Sequence, residues 1–131
     1  MSTIKLLTAS MLLLVVAGCG NSGTGSVTGT VRVNGSPMGG FEVRFYSVAD
    51  GSMAIGSALS DGQYKLVKGR GESQIEAGDY KVTVEPTSLI DGVAEPKVKI
   101  PKELASASTT TLVKTVSSGA NVIDLDISAQ K

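Results

Sequence analysis

The sequence predicts an all-β protein whose folded part is a seven-stranded antiparallel β-sandwich. Apolar and polar residues alternate over many short segments, which is the pattern of strands with one buried face. Glycine is abundant, with 16 in 131 residues, whereas the aromatic residues are limited to two Phe and three Tyr. This composition is typical of short strands joined by tight turns. Because strands with a single apolar face are stabilised when two sheets pack together, we expect a sandwich with Greek-key connections.

The first four predicted strands are separated by turn signals. They cover residues 27–33, 41–46, 53–60 and 64–66. The dipeptides Asn34-Gly35, Asp50-Gly51 and Asp61-Gly62 stand between them. Such dipeptides favour tight turns, because Asn, Asp and Gly tolerate the backbone conformations that these turns require.

Three further strands are predicted in the second half of the chain, over residues 80–84, 110–116 and 123–127. The segments 68–78 and 86–97 are rich in glycine, proline and charged residues, and they are the two longest predicted loops. A single turn of helix is predicted after Pro101. No helical periodicity of useful length occurs beyond the amino-terminal segment, which supports the all-β class.

The amino-terminal segment, residues 1–18, is predicted to be a lipoprotein signal peptide. Lys5 precedes an apolar run over residues 6–16 that spans about half of the ~30 Å hydrocarbon layer as a helix, which is typical of a secretory signal. The run ends in Val16-Ala17-Gly18-Cys19, which resembles a bacterial lipobox. The resemblance implies cleavage between Gly18 and Cys19 and lipidation of Cys19. An ordinary signal peptide with a chance cysteine, or a short membrane anchor, is the alternative.

Residues 19–26 are predicted to be a flexible tether between the lipidated cysteine and a folded domain over residues 27–131. The segment after Cys19 contains three glycines and no large apolar side chain, so it offers little surface to bury. No Asp follows Cys19, which favours the outer membrane or the cell surface over the inner membrane. A protein anchored in this way has the membrane as its first partner.

The folded segment resembles the carboxypeptidase regulatory-like (transthyretin-like, prealbumin-type) domain found in many bacterial lipoproteins. The strongest match is Ala77-Gly78-Asp79-Tyr80-Lys81-Val82-Thr83-Val84, which is similar to the family pattern G-x-Y-x-V-x-V. The opening strand from Val27, the hairpin from Asn34 to Gly40 and the segment from Ser60 to Tyr64 also resemble the family, as does the ending from Gly119 to Leu125. Leu104 stands where the family usually has tyrosine. The resemblance implies a transthyretin-like Greek-key sandwich.

Composition excludes several classes of function. The chain carries 12 basic and 12 acidic side chains and no histidine, and it contains one cysteine. The zero net charge argues against a nucleic-acid partner. The absence of histidine excludes a Ser-His-Asp triad and a transthyretin-like hydrolase, and the single cysteine excludes multi-cysteine metal sites. We therefore expect no enzymatic activity, no cofactor and no metal.

Few side chains qualify as candidates for binding. Asp124 and Asp126 face the same side of one strand and would need a further carboxylate to hold Ca²⁺, so a solvated polar face is the favoured interpretation. Lys65, Lys68, Arg70 and the group Lys97, Lys99 and Lys102 are candidates for contact with anionic headgroups or an acidic polysaccharide. Tyr46 is the one aromatic residue expected on a polar strand face.

The sequence therefore predicts a non-enzymatic, membrane-anchored domain that contacts another component of the cell envelope, either a protein or a polysaccharide. The loops 68–78 and 86–97 are the expected contact regions, because binding residues are concentrated in loops. The alternative function is a small-ligand or carbohydrate-binding accessory module. An exposed aromatic cluster near Tyr46 would favour this alternative.

Overall fold

The computed structural model describes residues 23–130, which form ten strands and one short 3₁₀ helix. The predictions for the amino-terminal segment, including Gly18 and Cys19, lie outside the described residues. The all-β class is confirmed. In chain order the strands are β1 (Thr24–Val33), β2 (Ser36–Pro37), β3 (Phe41–Ser47), β4 (Met53–Ser57), β5 (Gln63–Lys65), β6 (Ile75–Glu76), β7 (Gly78–Pro86), β8 (Val113–Val116), β9 (Gly119–Val122) and β10 (Leu125–Ile127). The 3₁₀ helix, Lys102–Ala105, follows Pro101 as predicted.

Strand β1 is the centre of the first sheet and is paired along both of its edges. On one edge it pairs antiparallel with β6, β5 and β2. On the other edge it pairs parallel with β9 and β10. Thr28, for example, lies between Lys65 of β5 and Val122 of β9. Each of these five short strands therefore depends on β1 for its place in the sheet.

The second sheet is antiparallel throughout, in the order β4-β3-β7-β8. Its longest pairing joins β3 and β7 over seven residue pairs, from Phe41 opposite Pro86 to Ser47 opposite Tyr80. The alternation predicted for residues 41–46 is confirmed, because Phe41, Val43 and Phe45 are buried while the residues between them are partly exposed.

The two sheets share one hydrophobic core. It combines Val27, Val31 and Leu125 of the first sheet with Val43 and Val84 of the second, all with no exposed surface. The ring of Phe45 lies 6.5 Å from that of Tyr64 in the first sheet and 5.9 Å from that of Tyr80 in its own sheet, with tilted planes at both contacts. Packing of this kind between two sheets gives the molecule a sandwich-like architecture.

The structure has ten strands, whereas the sequence predicts seven. Each predicted segment contains one strand of the structure, although some are shorter, such as β4, which ends at Ser57. The additional strands are β2, β6 and β9, which have two to four residues each. They have no clear apolar alternation, and each is defined by its pairing with β1.

Antiparallel pairing predominates, and β9 and β10 depart from it. Strand β8 runs antiparallel to β7 and ends beside Gly78. The chain then turns at residues 117 and 118 and enters the first sheet at the end where β1 also begins, so that β9 and β1 run in the same direction. Strands β9 and β10 are thus parallel to β1 because the chain crosses from the second sheet to the first through residues 117 and 118.

The first sheet begins earlier than the predicted domain boundary at residue 27. Strand β1 starts at Thr24, and the buried Gly25 pairs with both Ile75 and Gly119. A Cβ atom on Gly25 would lie 2.2 Å from the carbonyl oxygen of Ser117. Residues 24–26, predicted as part of the tether, therefore belong to the sheet. The glycine at position 25 leaves room where three strands approach closely.

Candidate functional site

Strands β1 and β7 begin at the same end of the sandwich, and this distinguishes its two ends. We call the end at which β1 starts the tether end, since residues 1–22 precede it. The amide of Ala77, just before β7, donates to the carbonyl of Gly23 there at 2.9 Å. Strand β7 extends from this end to Pro86 at the opposite end, which we call the far end. Nine strand residues separate the two by about 27–30 Å.

A groove lies at a corner where strands of the two sheets meet, and we call it the corner groove. Its volume is about 570 Å³. Residues of β1, β4, β5, β9 and the segments that follow β4 and β5 line it: Thr28, Gly29, Thr30, Ile55, Gly56, Ser57, Leu59, Gln63, Tyr64, Lys65, Val67 and Val122.

The corner groove lies over an interruption in the backbone pairing between β4 and β5. Ile55 and Val67 exchange hydrogen bonds of 2.8 and 2.9 Å, and the amide of Leu59 donates to the carbonyl of Gln63 at 3.0 Å. Midway between these contacts, Ser57 and Lys65 belong to different sheets and are not ladder partners. Both residues line the groove between these two contacts.

Three of the side chains that line the corner groove are apolar and exposed. Leu59, Val67 and Val122 are 52%, 37% and 78% exposed, respectively. They come from three separate segments and line the same groove. Apolar walls around a few polar groups are the usual composition of a binding site, and clustered exposed apolar residues mark surfaces that contact partners.

Tyr64 forms a rigid floor beneath the corner groove. Its buried hydroxyl donates to the carbonyl oxygen of Ile123 at 2.5 Å. Burial, with a smaller contribution from the negative charge of Asp124, raises the pKa of Tyr64 well above its usual value. The phenol therefore stays neutral at physiological pH and serves as a donor that ties β5 to the segment between β9 and β10.

A second groove lies at the far end, and we call it the far-end groove. Its volume is about 490 Å³. Its lining is mostly aliphatic, with two lysines and one glutamine: Val84, Pro86, Val98, Lys99, Ile100, Pro101, Lys102, Ala105 and Gln130. Of the predicted basic group, Lys99 and Lys102 therefore share a groove, whereas Lys97 is exposed outside it.

The two acidic residues Asp124 and Asp126 have different surroundings in the structure. Asp124 accepts a hydrogen bond from the amide of Thr30 at 2.9 Å, and its second oxygen lies 3.9 Å from the guanidinium of Arg32. Asp126 is exposed on β10. Residues 23–130 contain no group of three or more potential metal-ligating side chains. Asp124 thus acts as a bridge between strands.

The two predicted contact loops are partly anchored. In segment 68–78, Lys68 and Glu72 exchange backbone hydrogen bonds of 2.9 and 3.0 Å, and Ile75 is buried. This leaves Arg70 at an exposed tip. In segment 86–97, the amide of Thr87 donates to the carbonyl of Gly40 at 2.8 Å, while Leu89 is 87% exposed. Neither loop contributes a residue to the corner groove, and only Pro86 reaches the far-end groove.

The aromatic residues do not form an exposed cluster. Phe41, Phe45, Tyr64 and Tyr80 are buried, and they account for all but one of the five aromatic residues of the chain. Tyr46 is partly exposed beside the turn after β3. The feature that would favour a carbohydrate-binding module, an aromatic surface for stacking on sugar rings, is thus absent from the described part of the chain.

The apolar residues of the corner groove were not predicted as a site. The signal in the sequence was a set of apolar neighbours that break the alternation: Ala58-Leu59, Leu66-Val67 and Val122-Ile123. In each pair one side chain packs inward and the other, Leu59, Val67 or Val122, is exposed. Such pairs identify outward-facing apolar residues, although they do not show that these residues come together.

Comparison of the chain with protein-family models, with curated proteins and with solved structures finds no match. No helix among residues 23–130 has the length and apolar character needed to cross a membrane.

Proposed function

We propose that this protein is a lipid-anchored, non-enzymatic binding domain of a bacterial cell envelope, which contacts a protein partner through the corner groove. The observation that carries this proposal is that the exposed apolar residues Leu59, Val67 and Val122 line one groove, which Ser57 and Lys65 also line. A protein partner is favoured over a polysaccharide, because the groove combines apolar walls with dispersed polar groups and its one aromatic residue, Tyr64, is buried.

The proposal includes membership of the carboxypeptidase regulatory-like, transthyretin-like family with a Greek-key topology. Tyr80 supports it, because its hydroxyl donates to the carbonyl of Glu76, four residues upstream, at 2.6 Å. A tyrosine at the start of a strand that bonds back in this way is a feature of Greek-key sandwiches. The turn at Asn34 and Gly35, with φ of 51° and 85°, also fits the hairpin from Asn34 to Gly40 that resembles this family.

The proposed anchor is Cys19, exposed by cleavage after Gly18. Only four residues lie between Cys19 and the start of β1 at Thr24, so the five steps of the chain span at most about 17 Å. The tether end would therefore face the membrane closely. The corner groove lies beside Thr28 and Thr30, roughly 13–20 Å along β1 from Thr24, where a partner has access.

The anchor is tested by the intact mass of the full-length protein produced in a lipidating bacterium. Loss of residues 1–18 and a diacylglyceryl or larger acyl increment on Cys19 is the expected result. A Cys19→Ala variant is the control, and it should carry no such increment. A cleaved chain without the increment would contradict the lipid anchor and leave the groove proposal to be tested separately.

The groove is tested by photo-crosslinking in intact cells. A photoreactive phenylalanine analogue at Val122 should give a discrete crosslinked protein band, and Leu59→Asp should remove it. The matched control places the same analogue at Val113, which is 57% exposed on the other sheet. Equal crosslinking from both positions, or none from Val122, would contradict the proposal. A turnover activity abolished by a point substitution in the folded domain would contradict its non-enzymatic part.

A further inference from the structure

We propose that the far-end groove is a second binding site, separate from the corner groove, and that it takes an aliphatic carboxylate of the fatty-acid class. The proposal depends on three properties of the groove: an aliphatic floor, two lysines at its rim and, among residues 23–130, a lining without aromatic side chains.

The floor suits an unbranched hydrocarbon chain. Val84 is fully buried beneath the groove, and Val98 and Ile100 are partly buried against the core. Pro86 and Pro101 supply further apolar surface with restricted backbones. A hydrocarbon chain in this groove removes its own apolar surface and that of the groove from water, which is the main favourable term in binding such ligands.

The charge at the groove is positive. Among residues 23–130, Lys99 and Lys102 line it and no carboxylate does. The acidic side chains adjacent in sequence, Glu85 and Glu103, lie outside the lining. In the described part of the chain the ion pairs are Arg32–Asp124 and Arg44–Glu42, so neither groove lysine is engaged in one. A ligand with one negative head and an apolar body complements this arrangement.

Other classes of occupant fit less well. Within residues 23–130 no aromatic side chain lines the groove, which removes the stacking surface that nucleobases and sugar rings use. The carbonyl of Lys99 already accepts a hydrogen bond from the amide of Gln130 at 2.7 Å, so it is not free to pair with an added peptide strand. If the protein is anchored as proposed, the far end points away from the bilayer, and a free acid rather than a membrane headgroup is the occupant.

The experiment is a titration of the lipidated mature protein, which begins at Cys19, in nanodiscs with dodecanoate labelled with ¹³C at the carboxyl carbon, followed by NMR. Empty nanodiscs of the same lipids correct for partition into the bilayer. Saturable binding above this background is expected. If the chain purifies without a lipid, the same titration is made in buffer, so that failure of the anchor proposal does not affect the result.

Variants separate the contributions of charge and floor. Lys99→Gln with Lys102→Gln should weaken dodecanoate binding about tenfold or more, whereas Lys97→Gln, outside the groove, should change it less than twofold. Ala105→Trp, which fills the groove, should abolish binding. Absence of saturable binding, equal binding of acetate, or binding insensitive to the lysine pair would overturn the proposal. Stronger competition by an acidic peptide than by dodecanoate would also overturn it.

Discussion

At Gly29 the absence of a side chain allows the segment between β9 and β10 to lie against β1. A Cβ atom there would be 1.9 Å from the carbonyl oxygen of Ile123 and 2.9 Å from the ring of Tyr64. The same carbonyl accepts the Tyr64 hydroxyl, and the amide of Ile123 donates to Thr28 at 2.7 Å. One glycine, one tyrosine and one backbone carbonyl thus hold together three segments that are distant in sequence.

Gly29→Ala should lower the free energy of unfolding by about 2–3 kcal/mol, because the added methyl group overlaps fixed backbone atoms and displaces the paired segment. Thr28→Ala, at an exposed neighbouring position of the same strand, is the control and should cost less than about 1 kcal/mol. Urea unfolding followed by circular dichroism measures both. Equal effects of the two substitutions would show that the segment does not approach β1 as described.

Tyr64 gives the protein a pH dependence in the alkaline range. Its pKa is raised from the model-compound value of 10.0 by burial, so the folded state holds the phenolic proton more tightly than the unfolded state does. The resulting stability is fully present below pH 10 and is lost as the pH rises above that value, because the unfolded chain ionises first. Urea midpoints between pH 8 and pH 11 should therefore fall for the wild type and fall less for Tyr64→Phe.

The same substitution removes a hydrogen bond to a part-buried carbonyl, so Tyr64→Phe should cost about 1–2 kcal/mol at pH 7. Tyr46→Phe is the control, since Tyr46 is partly exposed, and it should change the stability at pH 7 by less than about 0.5 kcal/mol. A pH profile for Tyr64→Phe that coincides with that of the wild type would exclude this tyrosine as the source.

At the scale of elements, Asp124 replaces a backbone acceptor between β9 and β10. Val122 pairs with Thr28 and Leu125 with Val31, and the carboxylate of Asp124 accepts the amide of Thr30 between these two pairs. The ion pair with Arg32 is partly exposed and contributes little by comparison. A side chain therefore makes the first sheet continuous where the backbone ladder is interrupted.

Asp124→Ala should lower the unfolding free energy by about 1–2 kcal/mol and should increase hydrogen exchange at the Thr30 amide in particular. Asp126→Ala removes an exposed carboxylate from the adjacent strand and should change stability by less than about 0.5 kcal/mol. Amide exchange measured by NMR distinguishes the two. Unchanged protection of Thr30 in Asp124→Ala would contradict the bridging role.

The elements also show which parts of the structure follow from local sequence. Strands such as β3 and β7 were predictable because the alternation of apolar residues is local and long enough to recognise. Strand β9, Gly119–Val122, lies between the predicted strands 110–116 and 123–127 and was not predicted, because Gly, Ala and Asn have low strand preference and only pairing with β1 makes this segment extended. The grooves were not predictable, because Leu59, Val67 and Val122 meet only after the two sheets have packed.

At the scale of the whole molecule, the proposed anchor and the short distance from Cys19 to Thr24 together predict a fixed orientation. A tether of this length holds the tether end close to the bilayer, whereas the far end lies about 27–30 Å higher along β7. The two grooves would then differ in height, with the far-end groove at the face most distant from the membrane.

This orientation can be measured with thiol-reactive fluorophores, because Cys19 is the single cysteine of the chain and its sulfur would be blocked by the lipid. A label at Ser118→Cys, on the tether end, should be strongly quenched by quenchers on the lipid headgroups. A label at Leu89→Cys, in the exposed far-end loop, should be quenched weakly. Insertion of 20 Gly/Ser residues after Ser22 extends the r.m.s. reach of the tether to roughly 25–30 Å and should reduce the difference between the two labels. Equal quenching of both labels without the insertion would show that the domain tumbles freely or lies on its side, and it would remove the argument that the far-end groove is out of reach of the bilayer.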